Sequence, residues 1–219
     1  MTNHYRLVVF DMDGTLTHDA MDFEALRVDL GLSERRPILE WIAGLRELER
    51  DNATKILEQH ERRAAEMCRL RAGVVDMLEE LTRRGVRAAL LTRNSQSSVR
   101  RIVTRHRLAF EVVVSRDEPP FKPHPASLER ILRHFGVGPG EALMVGDNIF
   151  DLQVAHGAQV ASVLLLDGAV PLPPFAGRAD FCISDIADIV KLLEQPKRFR
   201  NQFNVLADDG QQHNFVEKG

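Results

Sequence analysis

Six short apolar runs, separated by stretches of helical periodicity, constrain this chain more than any other feature it has. They read RLVVFD (6–11), VRAALLT (86–92), EVVVS (111–115), ALMVGD (142–147), VASVLLL (160–166) and DFCIS (180–184). A strand with one wet face alternates apolar and polar residues, whereas a run that is apolar throughout belongs to a sheet covered on both faces. The intervening segments carry helix punctuation. VVDMLEELTRRG and PASLERILRHFG each end on a glycine suited to a left-handed cap, and SQSSVRRIVTRHRL opens on serines. Strand–helix alternation of this kind predicts an α/β fold, a Rossmann-like, doubly wound parallel sheet.

One section breaks the alternation. From 17 to 72 there is helical periodicity and no convincing strand. DFEALRVDLG reads as one helix, and PILEWIAGLREL as another with Pro37 in its first turn. A third follows Asp51, with Ala53, Ile56, Leu57, His60, Ala64 and Met67 along one stripe. The expected organisation is a core domain of 1–16 and 73–194, with a small all-helical module, 17–72, inserted after the first strand and seated over the strand ends. The segment 195–219 is polar without clear periodicity and reads as a flexible or partner-docked tail, with a short dimer-contact helix as the alternative.

The chain has 219 residues, 44% hydrophobic and 28% charged, with a net charge of -3. That balance is globular, and it lacks the basic field that would draw the protein to nucleic acid or an anionic membrane. No apolar stretch approaches the ~20 residues of a membrane helix, and the N-terminus runs straight into a strand without a signal peptide. Cys68 and Cys182 stand far apart in no metal-binding pattern, so both are expected to be reduced, in a cytoplasmic protein.

The strand ends carry the chemistry. Asp11 and Asp13 in DMDGT are two residues apart, so both project from the C-terminal edge of the first strand, where open α/β sheets bind ligands. Asp147, with Asp151 one helical turn later in VGDNIFD, stands at the same edge of the fourth run. Thr92 ends the second run and leads through Arg93, Asn94 and Ser95 into a helix. A hydroxyl and backbone N–H groups at a helix start form an anion site. Lys122 lies among prolines in PPFKPHP, which stiffen its loop. Each feature alone has a plain structural reading: aspartates capping amides, Asp147 and Thr92 as N-caps, Lys122 as a solvated charge. If the strands are neighbours, three or four carboxylates converge, which is costly without a cation. Oxygen-only ligands with room for water suit Mg²⁺.

In chain order these residues resemble the haloacid dehalogenase-like hydrolase superfamily. Its first motif, DxDGT, stands as Asp11-Met12-Asp13-Gly14-Thr15, and its second falls on Thr92. Its third falls on Lys122, and its fourth, GDxxxD, runs from Gly146-Asp147 to Asp151. The insert between the first two motifs resembles the family's C1 cap, as in the phosphoglycolate phosphatase-like branch. The resemblance implies a Mg²⁺-dependent hydrolase removing phosphate from a small phosphorylated metabolite. Asp11 would be the nucleophile, forming an aspartyl-phosphate, and Asp13 the general acid and then base. Mg²⁺ would be held by Asp11, the Asp13 carbonyl and Asp147, with Asp151 behind them orienting Lys122 or a metal-bound water. Thr92, the Arg93 amide and Lys122 would hold the phosphate. Such a protein is expected as a monomer or homodimer.

The family admits other readings. A phosphomutase of the β-phosphoglucomutase type has the same motifs, and an inactive binding relative would keep the fold. A dehalogenase fits poorly, since that branch lacks the second aspartate and works without metal. The chain also departs from the branch. Arg93 stands where Asn is common, with Asn94 one place later. The window after DGTL reads Thr17-His18-Asp19-Ala20, which displaces the usual acid and drops the usual hydroxyl. His18, Arg27, Trp41, Arg46 and His60 are the cap residues that could meet a substrate, though each also reads as packing or surface.

Overall fold

All six apolar runs form strands in the computed structural model, which describes residues 4–168 and 171–202. They are β1 (Leu7–Phe10), β2 (Arg87–Leu91), β3 (Val112–Val114), β4 (Ala142–Gly146), β5 (Ala161–Leu165) and β6 (Phe181–Ile183). The described helices are α1 (Phe23–Asp29), α2 (Ile38–Ala43), α3 (Glu47–Met67), α4 (Val74–Arg83), α5 (Gln96–His106), α6 (Ala126–Phe135), α7 (Ile149–Gly157) and α8 (Asp188–Glu194). The strands make one parallel sheet in the order β3-β2-β1-β4-β5-β6.

The continuous apolar character of β1 has a direct cause. Val8 and Phe10 pack on one face with Met77 and Leu81 of α4, Val99 and Ile102 of α5, and Ile189 and Leu192 of α8. Leu7 and Val9 pack on the other with Leu128 and Ile131 of α6 and Val154 and Ala155 of α7. All four strand side chains are fully buried. At roughly 1.5–3 kcal/mol for each large apolar side chain removed from water, both layers are needed to hold the central strand. This is the doubly wound sheet that the alternation predicts.

The strand order reverses at β1, which pairs with β2 on one side and β4 on the other. Phe10 is level with Leu90 and Val145. The backbone N–H of Asp11 donates to the Val145 carbonyl at 2.9 Å, and that of Thr92 to the Val114 carbonyl at 3.0 Å. The residues that follow β2, β1 and β4 are therefore delivered side by side at the switch point of the sheet.

The chain leaves the sheet after Leu16 and returns before α4, and the two crossings pair. The N–H of His18 donates to the Arg69 carbonyl and that of Arg71 to the Leu16 carbonyl, each at 2.9 Å. Between them α1, α2 and α3 enclose a cluster of their own: Leu26, Ile38, Ile42, Ala53 and Leu57, backed by Trp41 and Ile56. The third helix does not begin after Asp51, as its spacing suggested. It starts at Glu47, because Gly44 ends α2 and Arg46 is extended (ψ 155) at the cap position. Glu47 and Glu49 then suit the first turn, where the helix dipole favours acids.

The beginning of the supposed tail is not loose. Residues 196–199 form a 3₁₀ turn, and the Asn201 side-chain amide donates to the Ala176 and Ala179 carbonyls at 2.7 and 2.8 Å. Polar composition misleads here, since Asn201 satisfies backbone acceptors beside β6. The rest of that expectation, 203–219, lies outside the described residues. Cys68 is buried, Cys182 is half-buried, and both are free thiols.

Candidate active site

Three neighbouring strand ends and one loop build the site. Asp11 follows β1, Thr92 follows β2 and Asp147 follows β4, while Lys122 arrives from the loop after β3. Lys122 is 1% exposed, so it is no solvated loop charge. Its Nζ lies 2.7 Å from Asp11 Oδ1 and 2.7 Å from Asp151 Oδ1, and it donates to the Leu91 carbonyl at 3.2 Å. Burial alone would push its pKa down, but Asp11 and Asp151 outweigh that and hold the ammonium above its ordinary value.

The carboxylates are crowded. Asp11, Asp147 and Asp151 present oxygens that all lie within 4.8 Å of one another. Asp147 is pushed up to about 8, first by burial, then by Asp151 and Asp11, against a hydrogen bond from Thr15 Oγ1 at 3.1 Å. Asp151 rises to about 6 by burial, with Lys122 opposing the rise. Asp151 also accepts from the Asn148 N–H at 3.0 Å. Asn148, rather than Asp147, therefore caps α7, which leaves Asp147 free to turn toward the site.

Two glycines make this convergence possible. A Cβ on Gly14 (φ 74) would run into the Asp147 carboxylate, and a Cβ on Gly146 would run into that of Asp151. Three clustered acids share one buried lysine, which pairs with two of them, so the cluster is short of positive charge. The donor set fits a hard divalent cation such as Mg²⁺.

Asp13 turns another way. Its Oδ2 accepts from Asn94 Nδ2 at 2.6 Å and its Oδ1 from Thr17 Oγ1 at 3.2 Å. Burial and then the Asp11 charge push it up to about 7, with both hydrogen bonds opposing the rise.

A cavity of about 200 Å³ lies over these groups. Asp11, Asp13, Thr92, Arg93, Lys122 and Asp147 all line it, and Asp151 sits behind them at 1% exposure. Its outer wall comes from the helical insert, including Asp19, Met21, Arg36, Ile38, Leu57 and Glu61. None of His18, Arg27, Trp41, Arg46 or His60 is in that wall. Trp41 packs in the insert's own cluster, and His60 pairs with Asp29 at 2.7 Å. Arg27 is buried with Nη1 on the Phe23 carbonyl, and Arg46 caps α3.

The Arg93 side chain ties the insert to the core. Its Nη2 donates to both Glu40 carboxylate oxygens at 2.9 and 2.8 Å, and its guanidinium lies 3.9 Å from the Phe150 ring centroid. Glu61 is the residue the sequence reading passed over, and Asn94, named there only on the way into α5, is the one that meets Asp13. Glu61 had a signal: it follows Leu57 by four and Ala53 by eight, so it is a charge on the apolar stripe of α3, and it is 4% exposed.

A family model for haloacid dehalogenase-like hydrolases matches residues 5–159. The chain belongs to the haloacid dehalogenase-like hydrolase family. It is 31% identical over 201 residues to an uncharacterized hydrolase of Saccharomyces cerevisiae, covering 87% of this chain and 92% of that protein. It is 28% identical over 232 residues to phosphoglycolate phosphatase 1 of Pseudomonas aeruginosa, with 93% and 84% covered. The crystal structure of a predicted phosphoglycolate phosphatase from Haemophilus somnus superposes with a TM-score of 0.69 at 25% identity, over 88% of this chain and 99% of that one. The resemblance drawn from the four motifs is borne out, in the branch to which they pointed. Among the described residues no helix is long and apolar enough to cross a membrane.

Proposed function

We propose that this member of the family is a Mg²⁺-dependent phosphatase that removes phosphate from a small phosphomonoester through an aspartyl-phosphate on Asp11. One pairing carries the reading: Asp11 and Asp13 share the cavity, yet their surroundings separate them. Asp11 has one oxygen against Lys122, and among the described residues no hydrogen bond engages the other. Asp13 is raised to about 7, so it holds a proton it can deliver near neutral pH.

In the first half-reaction the free Asp11 oxygen attacks phosphorus and the ester P–O bond breaks. The electron pair leaves with the ester oxygen, which takes the Asp13 proton. In the second, Asp13 takes a proton from water, whose oxygen attacks phosphorus, releasing inorganic phosphate and restoring Asp11. The Thr92 hydroxyl and the Arg93 N–H are placed to receive the non-bridging oxygens at the start of α5. Asp11, Asp147 and the Asp13 carbonyl would hold Mg²⁺, and Asp151 fixes Lys122. Bound there, the ion supplies positive charge against a phosphate dianion, where each like-charge pair at ~4 Å costs about 4 kcal/mol at an effective dielectric of 20. The segment 17–72 acts as the cap, closing the cavity and choosing the leaving group.

Release of inorganic phosphate from p-nitrophenyl phosphate, and then from a panel of phosphorylated metabolites, tests the reading. We expect activity with Mg²⁺, loss in EDTA, recovery on Mg²⁺ addition, and a fall of roughly a thousandfold or more in Asp11→Asn. Activity indifferent to chelation, or retained in Asp11→Asn, overturns it.

A further inference from the structure

Glu61 projects from α3 of the insert into a charged junction at the cavity wall. It pairs with Arg116 at the end of β3, and the two side chains are 3% and 9% exposed. A buried ion pair holds only where further hydrogen bonds satisfy both partners, and here those bonds fall on the Arg93–Ser95 loop and the first turn of α5. Glu61 Oε2 accepts from the Ser95 N–H at 3.3 Å, from Ser95 Oγ at 2.7 Å and from Ser98 Oγ at 3.4 Å. Arg116 Nη1 donates to the Arg93 carbonyl at 3.2 Å, and the Arg116 backbone N–H donates to the Asn94 carbonyl at 3.1 Å.

The side chains of the ion pair thus hold the Arg93 carbonyl and the Ser95 N–H, and the Arg116 backbone beside them holds the Asn94 carbonyl. That stretch carries the anion donors, and from it Asn94 reaches Asp13 at 2.6 Å while its own N–H rests on Thr92 Oγ1 at 3.2 Å. Any shift of the loop moves the phosphate donors and the Asp13 contact together. A carboxylate from the insert also sits at the N-cap of α5, on the Ser95 N–H and hydroxyl, where the helix dipole favours an anion.

We propose that Glu61 is a positioning residue for the reaction. Through Arg116 and Ser95 it sets the Thr92–Asn94 loop from the side of the insert, so the loop is in catalytic register only when the insert is seated. The inference rests on the phosphatase reading. Misplacement of reacting groups by about 1 Å costs on the order of a hundredfold in rate, so the effect belongs in kcat.

The test is steady-state hydrolysis of p-nitrophenyl phosphate by the full chain with Mg²⁺, alongside thermal melts. Glu61→Gln leaves Arg116 without its counter-charge, and Glu61→Asp keeps the charge but withdraws it from Ser95. Both should lower kcat roughly 10- to 100-fold while KM moves less than about threefold. Combined with Asn94→Ala, Glu61→Gln should cost clearly less than the product of the two single losses, since the two share the Asp13 contact while Glu61 also sets the phosphate donors. A kcat within about twofold of wild type in the folded variants, or losses that multiply, overturns the proposal, whatever the melts show. If Glu61→Gln does not fold, Ser95→Ala, which leaves the ion pair whole, decides on the same kcat criterion. An inactive wild type sinks the phosphatase reading and this inference with it; an active wild type with unaffected Glu61 variants sinks this inference alone.

Discussion

Asn94 Nδ2 lies 2.6 Å from Asp13 Oδ2, so a side chain at the start of α5 both orients and tunes the carboxyl at the end of β1. Burial and Asp11 raise Asp13 to about 7, and the Asn94 hydrogen bond pulls the other way by favouring the ionised form. Asn94→Ala should therefore move the alkaline limb of kcat/KM upward in pH, even as kcat at pH 7 falls by about tenfold through poorer placement. A pH–rate profile at fixed Mg²⁺ reads both effects. A limb that stays put or moves down would show that Asp13 is not the group behind it.

The three raised carboxyls make stability depend on pH in an unusual direction. Asp13, Asp147 and Asp151 titrate at about 7, 8 and 6 in the folded chain, against about 3.9 when unfolded. Between these limits the folded state holds protons that the unfolded state has lost, so raising the pH favours unfolding. Metal-free protein should melt lower at pH 8 than at pH 6, a window above the ordinary carboxylate range. Mg²⁺ binds the ionised cluster, so its stabilisation should be larger at pH 8. At a hundred times Kd it reaches about 2.7 kcal/mol, some 5–10 °C in Tm for a chain of this size. Melts with EDTA and with Mg²⁺ at the two pH values check this, and Asp147→Asn should flatten the difference.

Much of this was legible because the signals were local. Fully apolar strand runs can belong only to a covered sheet, and the motif residues stand at strand ends whose register follows from parallel pairing. What stayed hidden depended on distant partners. Nothing beside Glu61 in the sequence announces Arg116 or Ser95, and the stripe on α3 made His60 the more visible residue. His60 instead pairs with Asp29 within the insert. Trp41 had the right chemistry for substrate contact but faces the insert's own packing, and Arg46 is exposed at the N-cap of α3, outside the cavity wall. Asp51 looked like a cap because its residue type favours one, whereas Gly44 fixes where the helix can restart. The polar residues after Leu193 looked loose because Asn201 finds its acceptors only through the fold.

Gly14→Ala probes the contact between the first and fourth motifs. A methyl there would meet the Asp147 carboxylate, and the backbone at φ 74 disfavours any side chain. The strain should cost on the order of 1–3 kcal/mol. The larger effect is displacement of Asp147 from Asp11, which weakens Mg²⁺ binding. Mg²⁺ titrations of activity should show the half-saturating concentration rising at least about tenfold, or 1.4 kcal/mol. If Mg²⁺ dependence is unchanged while Tm drops, Asp147 does not belong to the metal set.

Arg93 separates stability from closure of the insert. Its ion pair with Glu40, made by Nη2 alone, is partly exposed, 18% and 44% for the two side chains, so its net worth is about 1 kcal/mol or less. The same guanidinium stacks on Phe150 and donates to the Lys122 carbonyl at 3.2 Å, so it spans the insert, α7 and the lysine loop at the cavity rim. Glu40→Gln removes the charge across that gap and leaves both core contacts, so Tm should shift by no more than a few degrees. If seating of the insert over the cavity limits substrate capture, KM should rise by about three- to tenfold with kcat nearly unchanged, since ground state and transition state lose the same closure energy. Arg93→Lys should also raise KM, because a lysine gives up the guanidinium's stacking on Phe150 and its bond to the Lys122 carbonyl, which hold the side chain across the gap. A fall in kcat without a change in KM would instead place Arg93 among the groups that stabilise the transition state.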